Sequence, residues 1–355
     1  MNKSINALVE ESKALLKGLI ALPSYSREEH DTANLLCHFF DSHAVVYERI
    51  ENNVWAYNSF FDPDKPTILL NSHHDTVKPN PGYTRDPFLA SEEDGKIYGL
   101  GSNDAGGCLV SLIAAFLFYY DRTDLRYNLC VLASGEEEVS GRNGVEEALK
   151  HVHPIAFAIV GEPTLLDLAI AEKGLMVLDC EAEGVAGHAA REEGENAIYK
   201  ALDAINWFKS YQFPKTSEYL GPVKMSVTMI SAGSQHNVVP ASCKFVVDVR
   251  TTDAYNNEQV LETIRQSVQV KVEPRSTRLN PSTIALDHPI VQSGILLGAK
   301  TYGSPTMSDQ ALIPVPSLKV GPGDSARSHA ADEYIYAREI EEGVAFYIRM
   351  LENVL

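Results

Sequence analysis

Histidine and carboxylate side chains stand at the ends of apolar segments in this sequence, where they can perform acid–base or metal chemistry. The strand-like segment 67–71 runs into Ser-His-His-Asp at residues 72–75. Side chains two positions apart in an extended chain point to the same side, so His73 and Asp75 project together. A metal-bound histidine usually donates its other ring N–H to an acceptor such as a carboxylate. The pair fits a metal site, although two ordinary loop histidines would give the same pattern.

A glycine-rich loop at residues 99–107 carries another acid, Asp104, just before an apolar, helix-like segment. A dinucleotide-binding loop of the form Gly-x-Gly-x-x-Gly would need glycine where Asp104 stands, and a carboxylate there would repel a pyrophosphate. The same carboxylate suits a cation, and the glycines let the backbone fold tightly around it. The loop therefore indicates a cation site and disfavours a nucleotide-binding enzyme.

Acidic residues also follow two further strand-like segments. Segment 128–133 runs into three successive glutamates at residues 136–138, and segment 156–160 is followed by Glu162. Acid runs are usually solvated surface, but the carboxyl ends of strands are where sites form in α/β sheets. Like charges gathered at such an edge are unfavourable unless cations or protons compensate them.

A lone histidine, His329, follows the glycine-rich segment 321–323 near the end of the chain. With the residues above it completes a set of nitrogen and oxygen donors without sulfur, divisible between two ions bridged by a carboxylate. The set comprises His73, Asp104, Glu138, Glu162 and His329. Imidazole with carboxylate suits zinc, with cobalt or manganese as substitutes. The chain has no Gly-x-Ser-x-Gly elbow and no cysteine in a reactive motif, which disfavours a serine or cysteine nucleophile.

Apolar segments alternate between strand and helix character in both ends of the chain. This alternation predicts an α/β domain with a mixed, mostly parallel sheet flanked by helices. Between about residues 175 and 274 the order becomes strand, helix, strand, strand, helix, strand, the split pattern of a small ferredoxin-like α+β domain. We therefore predict a discontinuous catalytic domain of residues 1–174 and 282–355, with residues 175–281 inserted as a second domain.

Composition narrows the classes of partner. Lys and Arg number 30 against 48 Asp and Glu, a formal net charge of −18, so the average surface repels nucleic acid and anionic membranes. The five widely spaced cysteines contain no Cys-x-x-Cys pair, which indicates reduced thiols. Lys17 interrupts the apolar stretch 15–22, so no signal peptide is indicated, and no stretch approaches the roughly 20 apolar residues of a membrane span. We expect a cytoplasmic protein.

The ordered series of motifs resembles the acetylornithine deacetylase and succinyl-diaminopimelate desuccinylase family of zinc metallohydrolases, which also includes carboxypeptidases and dipeptidases. The motifs extend over nearly the whole chain, at residues 72–77, 99–107, 136–138, 161–164, 187–188, 237–240, 248–250 and 321–323, with His329. Leu100 and Gly106 stand where that family often has arginine and lysine. The resemblance implies a zinc-exopeptidase-like catalytic domain and an inserted lid or dimerisation domain, hence a homodimer.

The same resemblance implies two Zn²⁺ ions. His73 and Glu162 would bind one ion, Glu138 and His329 the other, and Asp104 would bridge them.

Further roles follow from the resemblance. Asp75 would orient His73, and Glu137 would be the general base. In the inserted domain, His188 would reach the substrate carbonyl, often in the partner subunit of a dimer. Asn237 and Arg250 would hold the substrate's carboxylate.

The expected substrate is an N-α-acylated amino acid, most simply N-acetylornithine or an analogue such as N-succinylornithine or N-acetylcitrulline in arginine biosynthesis. A succinyl-diaminopimelate desuccinylase and a metallo-dipeptidase or carboxypeptidase would use the same metals. Arg275, Arg278 and Lys173 could meet a succinyl carboxylate or be ordinary surface charges. A non-catalytic metal-binding homologue would lack Glu137 or a ligand, and the sequence retains all of them.

Overall fold

Two units divide the chain in the computed structural model, which describes residues 4–191 and 193–355. The first contains the described residues up to 170 together with 283–302 and 308–355, and the second contains those of 171–282 together with 303–307. These boundaries lie within a few residues of the expected 174/175 and 281/282. Segment 303–307, expected in the catalytic domain, is grouped with the second unit.

Eight helices and eighteen strands occur within residues 4–191 and 193–355. The helices are α1 (Ile5–Ile20), α2 (His30–Ser42), α3 (Gly107–Tyr119), α4 (Val145–Ala148), α5 (Ala197–Ser210), α6 (Asn257–Ser267), α7 (Pro289–Leu296) and α8 (Ala337–Glu352). The strands are β1 (Tyr47–Ile50), β2 (Asn53–Tyr57), β3 (Thr67–His73), β4 (Ser91–Glu93), β5 (Lys96–Tyr98), β6 (Asn128–Ser134), β7 (Ile155–Val160), β8 (Leu168–Glu172), β9 (Gly174–Glu183), β10 (Gly187–His188), β11 (Lys224–Ala232), β12 (Val238–Val239), β13 (Ser242–Thr251), β14 (Lys271–Pro274), β15 (Ser282–Thr283), β16 (Thr301–Ser304), β17 (Ser317–Lys319) and β18 (Tyr334–Tyr336).

The first unit is built on a mixed sheet of nine strands among the described residues. Its order is β1-β2-β6-β3-β7-β17-β8-β15, with β16 paired to β8. The four central strands, β6, β3, β7 and β17, run parallel, whereas β2 joins β6 and β8 joins β17 in antiparallel pairs. The predicted mixed sheet flanked by helices is confirmed, and parallel pairing is confined to its centre.

Strands β3 and β6 are buried along their whole length, as expected for central strands covered on both faces. Helix α3 packs against α1, α8 and these strands. Within the described residues, Ser102–Tyr119 is the one helical stretch long and apolar enough to cross a membrane, and 83% of it is buried inside the protein. Its apolar character therefore fits a core helix of this unit.

Apart from the two-residue strands β10 and β12, the second unit has the predicted element order, β9-α5-β11-β13-α6-β14. Its sheet has the order β11-β13-β9-β14 with antiparallel pairing. The sequence Phe-Val-Val at residues 245–247 lies on the internal strand β13, and its Phe245 and Val247 side chains belong to the core of this unit. Strand β11 forms an edge of the sheet and exposes Met229 and Ile230.

Candidate metal centre

The five predicted ligands lie on separate segments of the first unit. His73 ends β3, and Asp104 lies in the irregular π-helical turn Ser102–Gly106 before α3. Glu138 is in the 3₁₀ turn Glu137–Val139 that follows β6, Glu162 lies two residues after the end of β7, and His329 precedes β18. Because β6, β3 and β7 are adjacent and parallel, their carboxyl ends share one edge of the sheet, where α/β proteins place their sites.

Asp104 lies between the two histidines. Its Oδ1 is 3.3 Å from His73 Nε2, and its Oδ2 is 3.6 Å from His329 Nε2. The Glu138 carboxylate lies 3.0 Å from His329 Nε2, and Glu162 Oε1 lies 3.8 Å from His73 Nε2. The structure thus brings all five residues together. A carboxylate with one oxygen toward each imidazole has the arrangement that a bridge between two cations requires.

Among the described residues, two groups of donor atoms are close enough together to hold a metal ion. The ligand atoms of His73, Asp104 and Glu138 lie within 4.8 Å of one another, and so do those of His73, Glu137 and Glu162. All of these donors are imidazole nitrogen or carboxylate oxygen, which suits divalent ions such as zinc, cobalt or manganese. Glu137 belongs to the second group. Its position is compatible both with a metal ligand and with a general base.

Asp75 supports this arrangement through both its backbone and its side chain. Its carbonyl oxygen lies 2.9 Å from His73 Nδ1, and its Oδ1 lies 3.4 Å from the same nitrogen. A proton assigned to Nδ1 leaves the Nε2 lone pair directed at the cluster. The Asp75 carboxylate also accepts the backbone N–H groups of Glu137 at 3.0 Å and Glu138 at 3.1 Å. It therefore joins the first histidine to the glutamate turn.

Glu333 has a comparable role that the sequence did not reveal. This buried carboxylate accepts the backbone N–H groups of Gly101 at 3.1 Å, Asn103 at 2.8 Å and Asp104 at 2.9 Å. A tight glycine-rich loop leaves such amides without helix or sheet partners, so an acceptor from elsewhere must satisfy them. Its position four residues after His329 was the only signal in the sequence, and that signal gave no role.

The same loop explains one departure from the family pattern. A Cβ atom on Gly106 would lie 2.4 Å from the Gly101 carbonyl oxygen and 2.6 Å from Leu16 Cδ1. Real Cβ contacts are not this short, so the lysine that the family often has here would not fit this loop as it is folded.

Burial and neighbouring groups shift the pKa values of several residues in the cluster. Burial raises the pKa of Glu137 well above its usual range; Glu162 raises it further and His73 opposes the shift. Burial likewise raises the pKa of Glu162 to about 8. The hydrogen bond with Glu138 raises the pKa of His329 to about 9. Carboxylates this crowded need protons or cations to compensate them, which favours a cation site.

The three predicted substrate-contact residues lie in the second unit. The β10–β12 pair sets His188 opposite Val238 and therefore beside Asn237, and both side chains belong to exposed residues. Arg250 lies on β13, where its guanidinium donates to Asp248 at 2.9 and 3.1 Å. This unit thus places His188 and Asn237 on neighbouring backbone segments, while Arg250 lies on the main sheet.

Comparison with known proteins identifies the family. The model described as peptidase family M20/M25/M40 matches residues 69–353. The chain belongs to this family. It is 27% identical over 386 aligned positions to the acetylornithine deacetylase of Proteus mirabilis, covering 99% of this chain and 98% of that protein. It is 29% identical over 224 positions to the succinyl-diaminopimelate desuccinylase of Rickettsia felis, covering 59% and 58%.

The fold is similar to that of solved M20 structures. Aminopeptidase PepT from Bacillus cereus superposes with a TM-score of 0.75 at 18% identity, covering 99% of each chain. The resemblance stated from the motifs is confirmed at the level of the family, and this M20 protein is a hydrolase.

Proposed function

We propose that this M20 hydrolase binds two divalent metal ions, Zn²⁺ by preference, and removes an acetyl or succinyl group from the α-nitrogen of an amino acid. One observation carries the proposal: Asp104 directs one carboxylate oxygen toward His73 and the other toward His329. Glu138 and Glu162 lie beside the two imidazoles, so each side of the bridge has one imidazole and one further carboxylate.

The proposed substrate is N-acetylornithine or a close analogue, such as N-succinylornithine or N-acetylcitrulline, in cytoplasmic arginine biosynthesis. The full-length match to an acetylornithine deacetylase supports this choice over the shorter match to a desuccinylase. The net charge of −18 favours a small-molecule substrate over nucleic acid or an anionic membrane as partner.

Bound divalent cations would polarise the scissile carbonyl and lower the pKa of water. Glu137 would take the proton from the attacking water and return it to the leaving amine. His188 would donate a hydrogen bond to the carbonyl oxygen as negative charge develops on it. Asn237 and Arg250 would hold the substrate's carboxylate, and Asp75 would keep the Glu137 turn in place.

The second unit would act as a lid and as the contact surface of a homodimer. The exposed edge strand β11, with Met229 and Ile230 outward, supports a dimer, because unpaired apolar edges favour pairing with another chain. Light scattering coupled to gel filtration should give a mass near 78 kDa, about twice the chain mass of 39.0 kDa. A mass near that of one chain would contradict the dimer.

The proposed substrate is tested by assaying the candidate substrates side by side. The protein is stripped with a chelator, reloaded with Zn²⁺ or Co²⁺, and assayed on acetyl- and succinyl-ornithine, acetylcitrulline, succinyl-diaminopimelate and simple dipeptides. We expect no turnover without metal, recovery on reloading, and the highest kcat/KM on an acylated ornithine or citrulline. Faster hydrolysis of dipeptides would identify a peptidase, and faster hydrolysis of succinyl-diaminopimelate a desuccinylase.

A further inference from the structure

A buried acid outside all of the motifs, Asp309, lies next to the strands that carry the candidate ligands. It begins the 3₁₀ turn Asp309–Leu312 and is only 4% exposed. Isolating a carboxylate from water is unfavourable unless hydrogen bonds hold it. The hydrogen bonds of Asp309 therefore indicate its role in the structure.

The Asp309 side chain accepts hydrogen bonds from polar groups of the central sheet. Ser134 Oγ donates to Asp309 Oδ2 at 2.6 Å. With its amide oriented to satisfy its neighbours, Asn71 donates from Nδ2 to the same oxygen at 3.1 Å and accepts the Ser72 N–H at 3.2 Å. One carboxylate oxygen thus receives donors from β6 and from β3.

These two donors are close in the chain to the metal-binding residues. Asn71 lies two residues before His73 on β3, so both side chains leave the same face of the strand. Ser134 is the register partner of His73, and its carbonyl accepts the His74 N–H at 3.0 Å. Ser134 also lies three residues before Glu137. Asp309 therefore bonds to both strands at the point where each enters the metal centre.

We propose that Asp309 is a positioning residue of the metal centre. By accepting from Ser134 and Asn71 together, it sets the position of His73 relative to the turn that carries Glu137 and Glu138. The inference rests on the proposed function, because it assumes that these residues bind metal and act on substrate. A neutral residue could fill the same space for the fold alone, whereas a carboxylate accepts both donors through short, charge-assisted bonds.

The test compares Asp309→Ala and Asp309→Asn with the unaltered chain. Zn²⁺ affinity is measured by chelator competition, kcat and KM on the best substrate of the panel, and the midpoint of thermal unfolding by calorimetry. Residues that support metal ligands typically change affinity or activity by about 10–100-fold. We expect Asp309→Ala to lose about 10–100-fold in both Zn²⁺ affinity and kcat, with KM within about threefold. Asp309→Asn, which keeps one acceptor oxygen, should fall between.

Asp62→Ala is the matched control. Asp62 accepts the Asp64 N–H at 3.0 Å in the loop that precedes β3, at the end of that strand opposite to His73. This variant should keep Zn²⁺ affinity and kcat within about twofold.

The proposal is overturned if both Asp309 variants keep Zn²⁺ affinity and kcat within about twofold while only the unfolding midpoint falls. Asp309 would then stabilise the fold alone. If Asp309→Ala does not fold, Asp309→Asn decides by the same criterion. Should the unaltered chain hydrolyse none of the substrates, the proposed function fails, and Zn²⁺ affinity still decides the role of Asp309.

Discussion

The two units hold their candidate functional residues in opposite ways. In the first, the carboxylate side chains of Asp104, Glu138 and Glu162 are only 8–14% exposed and His73 is buried; of the five candidate ligands only His329, 53% exposed, is open to solvent. In the second, His188 is exposed on the two-residue strand β10, and Asn237 is exposed just before the two-residue strand β12. A parallel sheet covered by helices preorganises a buried cluster, whereas a short ribbon leaves its side chains to be positioned by substrate or partner. Changes to the ligands of the first unit and to the residues that hold them should therefore affect the metals, and changes in the second unit only turnover.

Glu137→Gln should have the largest effect and divides the roles within the first unit. A general base contributes about 10²–10⁴-fold to the rate, so kcat should fall by that factor while Zn²⁺ affinity is retained. Steady-state kinetics and chelator competition measure the two quantities. Glu136→Gln, which alters the neighbouring acid, should change kcat far less. A parallel loss of Zn²⁺ affinity in Glu137→Gln would show that Glu137 is a metal ligand.

His188→Gln tests the second unit in the same assays. Removing a donor that stabilises developing negative charge costs about 10²–10³-fold in kcat, and the exposed site predicts unchanged Zn²⁺ affinity and thermal stability. His236→Gln, at an exposed histidine that directly precedes Asn237, is the control and should retain full activity. Unaltered kcat in His188→Gln would show that His188 takes no part in the reaction. A loss of Zn²⁺ affinity would show that the second unit also affects the metals.

Glu333→Gln should have a smaller effect, again on the metals. The amide keeps one acceptor oxygen but directs its NH₂ group toward loop amides that are themselves donors. The loop carrying Asp104 should lose its position, and Zn²⁺ affinity should fall by about 10–100-fold. Glu352→Gln on α8 serves as a surface control in the chelator competition. Full Zn²⁺ affinity in Glu333→Gln would show that the loop holds Asp104 without this acceptor.

The smallest effects should come from two arginine pairs, one in each unit. Arg327 binds Glu339 in the first unit with both side chains about 12–13% exposed, so Arg327→Ala should destabilise the protein by about 1–3 kcal/mol in denaturant unfolding.

Arg275 binds Asp179 in the second unit with both side chains more than half exposed. Arg275→Ala should leave both the unfolding midpoint and the ratio of acetyl to succinyl substrate rates unchanged. A changed ratio would instead show that Arg275 contributes to the selection of the acyl group.

Much of the fold could be predicted because the signals are local. Continuous apolar runs predicted β3, β6 and β7 to within two residues, and the order of the inserted unit followed from its alternating elements. Strand β8 was not predicted, since residues 165–172 lack a turn signal that would separate a strand from the preceding loop. Its partner β17 lies about 150 residues later in the chain, so no nearby pattern marks the pairing.

The sequence by itself determined which side chains could bind metal, because residue type and position after an apolar strand are properties of short segments. Only the tertiary structure decided how those side chains face one another, with Asp104 between His73 and His329. It alone revealed the supporting acids: Glu333 accepts from a loop amide 232 residues away and Asp309 from a serine 175 residues away. A buried carboxylate is recognised by the donors that surround it, and those donors come together only when the chain folds.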